Sequence, residues 1–181
     1  MKELSLNILD VAKNSVSAGA KNITISLLTD DKGVLTLTIK DDGCGMSEEF
    51  ARNVTDPFYT TRTTRKVGLG LPLLKLAAEQ TGGTLSLESS MDEHNHGTCV
   101  RAVFDTTSID FMPVGDIIST VCILIAGSPE IDFWFSDVSQ NHNVTLNTAD
   151  LREILGADIS LSEPEIQTWM SEYLKEQYQQ K

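Results

Sequence analysis

Two alternating segments joined by an acidic turn constrain the fold more than any other feature of the chain. Residues 22–28 (NITISLL) and 34–40 (VLTLTIK) alternate apolar residues with Thr, Ser and Asn, a pattern typical of strands with one buried face. The residues between them, DDKG, favour a hairpin turn. Because a lone hairpin is only marginally stable in water, the pattern predicts a sheet whose apolar face other elements cover.

Two amphipathic segments are candidates for that cover. Residues 3–18 place apolar side chains at helical spacing, and residues 69–83 (LGLPLLKLAAEQTGG) do so before a closing glycine pair. Further strands are predicted at 84–90 and 97–104, and a short helix after Ser47. These elements predict an α+β fold.

The charge of the chain is unevenly distributed. The net charge is −12, of which residues 1–105 carry −3 and residues 106–181 carry −9. The step predicts a boundary near residue 105, with a domain at 1–105 and an acidic α+β extension of unknown role at 106–181. An acidic surface repels phosphates, so nucleic acid is not expected as a partner.

Apolar runs and cysteines indicate the class of protein. The longest apolar run, around residues 117–126, is too short to cross a membrane, and no charged-then-apolar leader opens the sequence. The three cysteines form no C-x-x-C spacing, so neither a disulfide framework nor a thiolate metal site is expected. We therefore expect a cytoplasmic protein with reduced thiols and no membrane partner.

The acidic half has elements of its own. We predict a helix at 115–127, a strand at 131–138, a helix at 148–156 capped by Thr148, and a helix at 162–179 that begins with the capping box Ser162–Glu165. The last helix places five apolar residues on one face, which predicts docking within this chain, against a protein partner, or in a homodimer. They are Ile166, Trp169, Met170, Tyr173 and Leu174.

A polar stripe follows the first predicted helix. Asn7, Asp10, Asn14 and Ser17 fall at helical spacing opposite the apolar face. A solvated face accounts for such a stripe, but short acid and amide side chains are poor helix formers. An Asp and an Asn one turn apart also offer the oxygen ligands that Mg²⁺ prefers, so both interpretations stay open here.

Residues 59–67 (YTTRTTRKV) contrast with the rest of the chain. They contain Arg62, Arg65, Lys66 and four threonines but no acid, in a protein of net charge −12. A positive, hydroxyl-rich loop is suited to a triphosphate; a solvated loop is the alternative.

Four segments, taken in order, resemble a known family. They are LDVAKNSVSAGA (9–20), DDGCGM (41–46), DPFYTTR…KVGLGL (56–71) and GTCV (97–100). Residues 1–105 resemble the Bergerat-fold (GHKL) ATP-binding domain of gyrase, of the heat-shock chaperone of that class, of sensor histidine kinases and of MutL. The resemblance implies a two-layer α/β sandwich, with a mixed sheet and helices on one face, that binds ATP and Mg²⁺.

The resemblance also implies residue roles. Asn14 corresponds to the Mg²⁺ ligand, and Asp10 to a position where hydrolysing relatives have a Glu general base. Asp41 corresponds to the acceptor of the adenine amino group, and Thr98 to a residue of the adenine region. The other implied nucleotide contacts are Gly43, Gly45, Met46, Phe58, Arg62, Arg65, Lys66, Gly68, Leu69, Gly70 and Leu71.

The activity is less closely constrained. Asp10 is one methylene shorter than Glu, and kinases of the family often have Asn there, so Asp10 is a base, a second possible metal contact, or only a polar helix residue. We expect Mg²⁺-dependent ATP binding with weak hydrolysis or phosphoryl transfer to a protein in trans. The alternative is a non-catalytic, nucleotide-gated regulatory module. A degenerate pocket in a pure interaction protein is a third possibility, which Asn14 and Asp41 disfavour.

Overall fold

The computed structural model describes residues 3–56, 69–156 and 158–180. Within them, six strands form one mixed sheet in the order β3-β4-β2-β1-β5-β6. The strands are β1 (Asn22–Thr29), β2 (Val34–Asp41), β3 (Thr84–Ser90), β4 (Gly97–Asp105), β5 (Asp132–Val138) and β6 (Asn143–Asn147). The predicted hairpin is confirmed, because β1 and β2 pair antiparallel around residues 30–33.

The helices of the described residues cover the apolar side of this sheet. They are α1 (Leu4–Ser17), α2 (Glu48–Asn53), α3 (Gly70–Gln80), α4 (Ile117–Gly127), α5 (Thr148–Leu155) and α6 (Pro164–Gln179). Along β1 and β2 every second side chain is buried, and these side chains join those of the helices in one core. The α+β expectation is confirmed, and the architecture is that of the Bergerat fold. No helix among the described residues is both long and apolar enough to cross a membrane.

The acidic half of the chain is built into the same sheet. β5 pairs parallel with β1, with Ile23 beside Phe133 and Ile25 beside Phe135, and β6 continues the sheet beyond β5. These side chains are buried in the common core. The boundary near residue 105 stays a prediction, and both sides of it share one sheet.

The segment before α4 accepts hydrogen bonds from the first backbone amides of α1. The N–H groups of Leu4 and Ser5 donate to the carbonyl oxygens of Pro113 and Val114, at 2.9 and 2.8 Å. These amides at the start of a helix have no partner within the helix, and the side chain of Glu3 makes no capping bond. Residues after 105 therefore fix the start of the helix that carries the polar stripe.

Sequence reasoning missed one strand, and two predictions about helix caps are wrong. β6 was not predicted, because NVTLN is short and follows a polar loop. Thr148 does not cap α5; Asn147 does, through its bond from the N–H of Ala149 at 3.0 Å, while the buried Thr148 hydroxyl accepts from the N–H of Phe133 at 2.7 Å. α6 begins at Pro164 without a side-chain cap, and Ser162 instead contacts Ser160 at 2.8 Å.

The polar stripe of α1 is only partly exposed. Asp10 and Ser17 face solvent and Asn14 is half-buried, but Asn7 is 1% exposed. The expectation that Asn7 lies opposite the apolar face is therefore wrong. Neither polar atom of its amide has a hydrogen-bond partner among the residues that the structure describes.

Candidate functional site

A cavity of about 370 Å³ opens between α1, the C-terminal end of β2, the start of β4 and residues 44–54. Its walls are largely apolar, with Val11, Val54 and Val100 among them, while Ser15 adds a polar group. Six predicted nucleotide-binding residues line it, so that each of the four sequence segments contributes at least one. They are Asn14, Asp41, Gly45, Met46, Leu71 and Thr98.

Asp41 occupies a buried position in this wall and is held by three donors. Its Oδ1 accepts from the N–H of Gly43 at 2.9 Å and from the N–H of Thr98 at 3.2 Å. Its Oδ2 accepts from the Ser15 hydroxyl at 2.5 Å. A carboxylate oxygen accepts about two hydrogen bonds, so Oδ2 retains capacity for one donor from the cavity. Asp41 is therefore a fixed acceptor that can read a ligand amino group.

A hydroxyl network joins the two strands beside Asp41. Ser89 on β3 accepts from the N–H of Met46 at 2.9 Å and donates to the carbonyl oxygen of Gly97 at 3.0 Å. Its hydroxyl also lies 2.8 Å from that of Thr98. This network ties the loop after β2 to β4, and so it sets the shape of the polar end of the cavity.

The loop after β2 leaves no room for side chains at its glycines. Gly45 has φ +68°, and a Cβ there would lie 1.8 Å from the carbonyl oxygen of Ser90. A Cβ at Gly43 would lie 2.8 Å from the Cβ of Ala18. Close backbone approach is thus required by the fold itself, before any ligand contact is considered.

Asp42 has a structural role next to Asp41. Its carboxylate accepts from the N–H groups of Lys21 and Asn22, at 2.7 and 2.9 Å, and from the Asn22 side chain at 2.8 Å. Partial burial alone would raise the pKa of this carboxyl, but the bonds from Asn22 and Lys21 leave its pKa below the ordinary value. Asp42 therefore anchors the start of β1.

Asp10 and Gly70, predicted for the metal and the phosphates, lie at the α1–α3 contact. A Cβ added at Gly70 would be 3.0 Å from the Cβ of Asp10, so the first residue of α3 lies directly against Asp10. Asp10 is exposed and Asn14 reaches the cavity wall. Within the described residues, no cluster of three or more His, Cys, Asp or Glu side chains could hold a metal ion. These side chains therefore fit Mg²⁺ only as one or two oxygen ligands beside phosphate and water.

Several predicted residues are not in this cavity. Leu69 is 60% exposed and lines a separate hollow between α2 and α3. Gly43 and Gly70 are not among the lining residues and lie against Ala18 and Asp10, respectively. The remaining predicted positions, Phe58, Arg62, Arg65, Lys66 and Gly68, lie outside the described residues.

Sequence reasoning missed Ser15 and Ser89. Ser15 directly follows Asn14, about 100° further round the helix, and it was not assigned to the polar stripe. A Ser in a helix interior is disfavoured by propensity, and that is the signal that could have found it. Ser89 lies on a strand without other inward polar residues, and its sequence gives no signal.

Cys44 lies next to Gly43, the residue to which the side chain of His96 is bonded. Cys44 is exposed and lines the cavity. The Nδ1–H of His96 donates to the carbonyl oxygen of Gly43 at 2.8 Å. His94 is exposed in the same loop, so both histidines lie on the surface.

Comparison with known proteins identifies the family to which the segments around the cavity are similar. The family model described as histidine kinase-, DNA gyrase B-, and HSP90-like ATPase matches residues 1–108. The match includes every segment that forms the cavity.

Individual relatives are kinases and sensor proteins. Sporulation kinase E of Bacillus subtilis is 33% identical over 98 residues, which are 54% of this chain and 13% of the kinase. Sensor histidine kinase CpxA of Escherichia coli is 30% identical over 86 residues, 45% of this chain and 19% of that protein. This chain therefore spans less than a fifth of the length of either relative.

One solved structure is similar to a longer part of this chain than the family model matches. The N-terminal domain of a DNA repair protein superposes with a TM-score of 0.59 at 14% identity. The match covers 87% of this chain and 58% of that chain. At this identity the likeness concerns the fold, and it extends beyond residue 108.

Proposed function

The chain belongs to the family of histidine kinase-, DNA gyrase B- and HSP90-like ATPases, and on that premise we propose that it binds Mg²⁺-ATP in the cavity at Asp41. Residues 1–108 form an ATP-binding domain of the histidine kinase-like type. The bound ATP is hydrolysed slowly or gives its γ-phosphoryl group to a protein in trans.

The acceptor on Asp41 carries the proposal. One lone pair of Oδ2 is available in a largely apolar cavity, and its carboxylate is held by Ser15, Gly43 and Thr98. The exocyclic amino group of adenine is a donor that fits this acceptor. A ligand without a donor at that point leaves a buried carboxylate under-bonded, which favours adenine over guanine.

The phosphates would extend from the adenine end toward the α1–α3 contact. Asn14 and Asp10 would hold the Mg²⁺ there with their side-chain oxygens, and the amides at the start of α3 would face the phosphates. Bound Mg²⁺ neutralises charge on the phosphate oxygens. Arg62, Arg65 and Lys66 stay predicted phosphate contacts.

Asp10 decides whether water is activated. It is exposed at the contact with Gly70, and its short side chain has less reach toward an attacking water than Glu. Poor activation of water favours transfer over hydrolysis. The names of the matched relatives, a sporulation kinase and a sensor histidine kinase, support transfer to a protein acceptor.

A nucleotide-gated regulatory module is the alternative. The bonds from Leu4 and Ser5 to residues 113 and 114 join α1 to the acidic half of the chain. Asn14 lies on that same helix, so a nucleotide that contacts Asn14 has a mechanical connection to residues 106–181. A protein partner at those residues and a cytoplasmic location are parts of both proposals.

One assay separates the two. We would incubate the full chain with [γ-³²P]ATP and Mg²⁺, with and without a chelator, and measure free phosphate and labelled protein. The catalytic proposal predicts Mg²⁺-dependent free phosphate or labelled protein above an Asn14→Ala control, with less free phosphate in Asp10→Asn than in wild type. ATP binding without release above that control would favour the gated module.

A further inference from the structure

An exposed aromatic pair lies on the outer side of α6. Trp169 and Tyr173 are one turn apart, and their rings stack with centroids separated by 5.1 Å and planes 10° from parallel. Trp169 is 46% exposed and Tyr173 is 38% exposed, whereas Met170 and Leu174 on the same helix are fully buried. One side of α6 packs into the core of the chain, while the aromatic pair on the other side is exposed to solvent.

The inner side of α6 is fixed to the sheet. The Gln177 side chain donates to the carbonyl oxygen of Thr145 and accepts from its N–H, both at 2.9 Å. The hydroxyl of Tyr178 donates to Oδ2 of Asp137 at 2.7 Å. Burial, together with this carboxylate, raises the pKa of Tyr178 well above its ordinary value, so the donor is retained. The outer side of α6 is therefore a preorganised surface, which lowers the entropic cost of binding.

Three exposed glutamates border the aromatic pair. Glu165 lies one turn before Trp169, Glu172 three residues after it, and Glu176 three residues after Tyr173. Across the part of the chain that the structure describes, none of the three forms an ion pair. We call these five residues the aromatic–acidic surface: its centre is aromatic and its rim is negative.

We propose that the aromatic–acidic surface binds an arginine-bearing basic segment of a partner protein. A guanidinium stacks on aromatic faces and also pairs with carboxylates, so one residue type satisfies both the centre and the rim. A second copy of this chain is the poorer occupant, because a symmetric contact would set the same acidic rim against itself. The partner in the proposed function would dock here, but the surface does not require that ATP be hydrolysed or transferred.

The test uses the full chain and a fluorescent synthetic peptide of about four helical turns with one arginine per turn. Binding is followed by anisotropy near physiological ionic strength, where long-range attraction is screened. We expect saturable binding that falls at least about tenfold in Trp169→Ala/Tyr173→Ala and in Glu165→Gln/Glu172→Gln/Glu176→Gln. We also expect weaker binding of the same peptide with lysine in place of arginine.

A charge-matched variant controls for non-specific attraction to an acidic protein. Asp31→Asn/Glu88→Gln/Glu93→Gln removes the same number of exposed acids elsewhere and should bind the peptide within about twofold of wild type. ATP binding, measured in parallel, should be unchanged in every variant, which separates this proposal from the ATP site. Equal losses in both triple variants, or a dimer that Trp169→Ala/Tyr173→Ala dissociates, would overturn the proposal.

Discussion

At the scale of single residues, the hydroxyl of Ser15 is the contact that most closely controls the candidate ATP site. Its 2.5 Å bond to Asp41 is buried, and hydrogen bonds to charged groups contribute about 1.5–3 kcal/mol. We expect Ser15→Ala to weaken ATP binding about tenfold or more, measured by calorimetric titration. Ser26→Ala removes a 3.0 Å bond to Ser136 on the far face of the sheet and should leave ATP affinity unchanged. Equal affinities for wild type and Ser15→Ala would contradict the assigned role.

Asn7 is a second residue whose environment makes a definite prediction. Its buried amide has no hydrogen-bond partner among the described residues, and an unsatisfied buried polar group costs about 1–3 kcal/mol. Asn7→Leu, similar in size, should therefore raise the free energy of unfolding in urea by about 1 kcal/mol or more. Asn143→Leu, at an exposed position, should change it by less. A loss of stability in Asn7→Leu would mean that the amide has a partner.

The sequence allowed some of these residues to be predicted and not others. Asn14, Asp41 and Thr98 belong to segments whose order along the chain resembles that of the family. All three residues line the cavity. Asn7 was wrongly predicted to lie opposite the apolar face. Helical spacing shows which residues share a face of a helix, but it does not show which other elements pack against that face. α1 lies against α3, α4 and β2, so more of its circumference is buried than a single apolar stripe indicates.

At the scale of elements, the caps of α5 and α6 test the structure against the sequence prediction. Asn147 caps α5, whereas Ser162 makes no bond to α6. We expect Asn147→Ala to lower the free energy of unfolding by about 1 kcal/mol. Ser162→Ala should have little effect, because its hydroxyl contacts that of Ser160 and, among the described residues, caps no helix. The opposite ranking in thermal or urea unfolding would support the capping box predicted from sequence.

Those caps could not be chosen from local sequence alone. Asn147 and Thr148 are adjacent, and both are good capping residues. The choice depends on Phe133, whose N–H is bonded to the Thr148 hydroxyl 15 residues later in the chain. By contrast, the first helix and the first two strands were predicted within about two residues, because their apolar periodicity is long and regular.

At the scale of the whole molecule, the two halves of the chain depend on each other. α6 places Met170 and Leu174 in the core at full burial, and each such side chain contributes about 1.5–3 kcal/mol. Deletion of residues 162–181 should lower the free energy of unfolding by about 3 kcal/mol or more and expose apolar surface to a hydrophobic dye. Trp169→Ala/Tyr173→Ala, which changes only half-exposed side chains, should lose much less. A deletion variant that unfolds at the same urea concentration as the full chain would contradict this dependence.

Both sides of the predicted boundary near residue 105 share one sheet, which the charge step alone does not indicate. The charge of the sequence changes near residue 105. The alternating pattern of residues 131–138 predicts a strand, but it does not predict which strand this one pairs with. That partner is β1, more than 100 residues earlier and parallel, and parallel pairing requires a long crossover rather than a local turn.

The most direct test of the central claim is a calorimetric titration of Mg²⁺-ATP into wild type, Asp41→Asn and Asp42→Asn. The two aspartates are adjacent, but only Asp41 lines the cavity, while Asp42 anchors β1 through Lys21 and Asn22. We predict that Asp41→Asn weakens binding by about tenfold to a hundredfold and that Asp42→Asn binds like wild type. Unchanged ATP affinity in Asp41→Asn would contradict the assignment of this cavity as the adenine site.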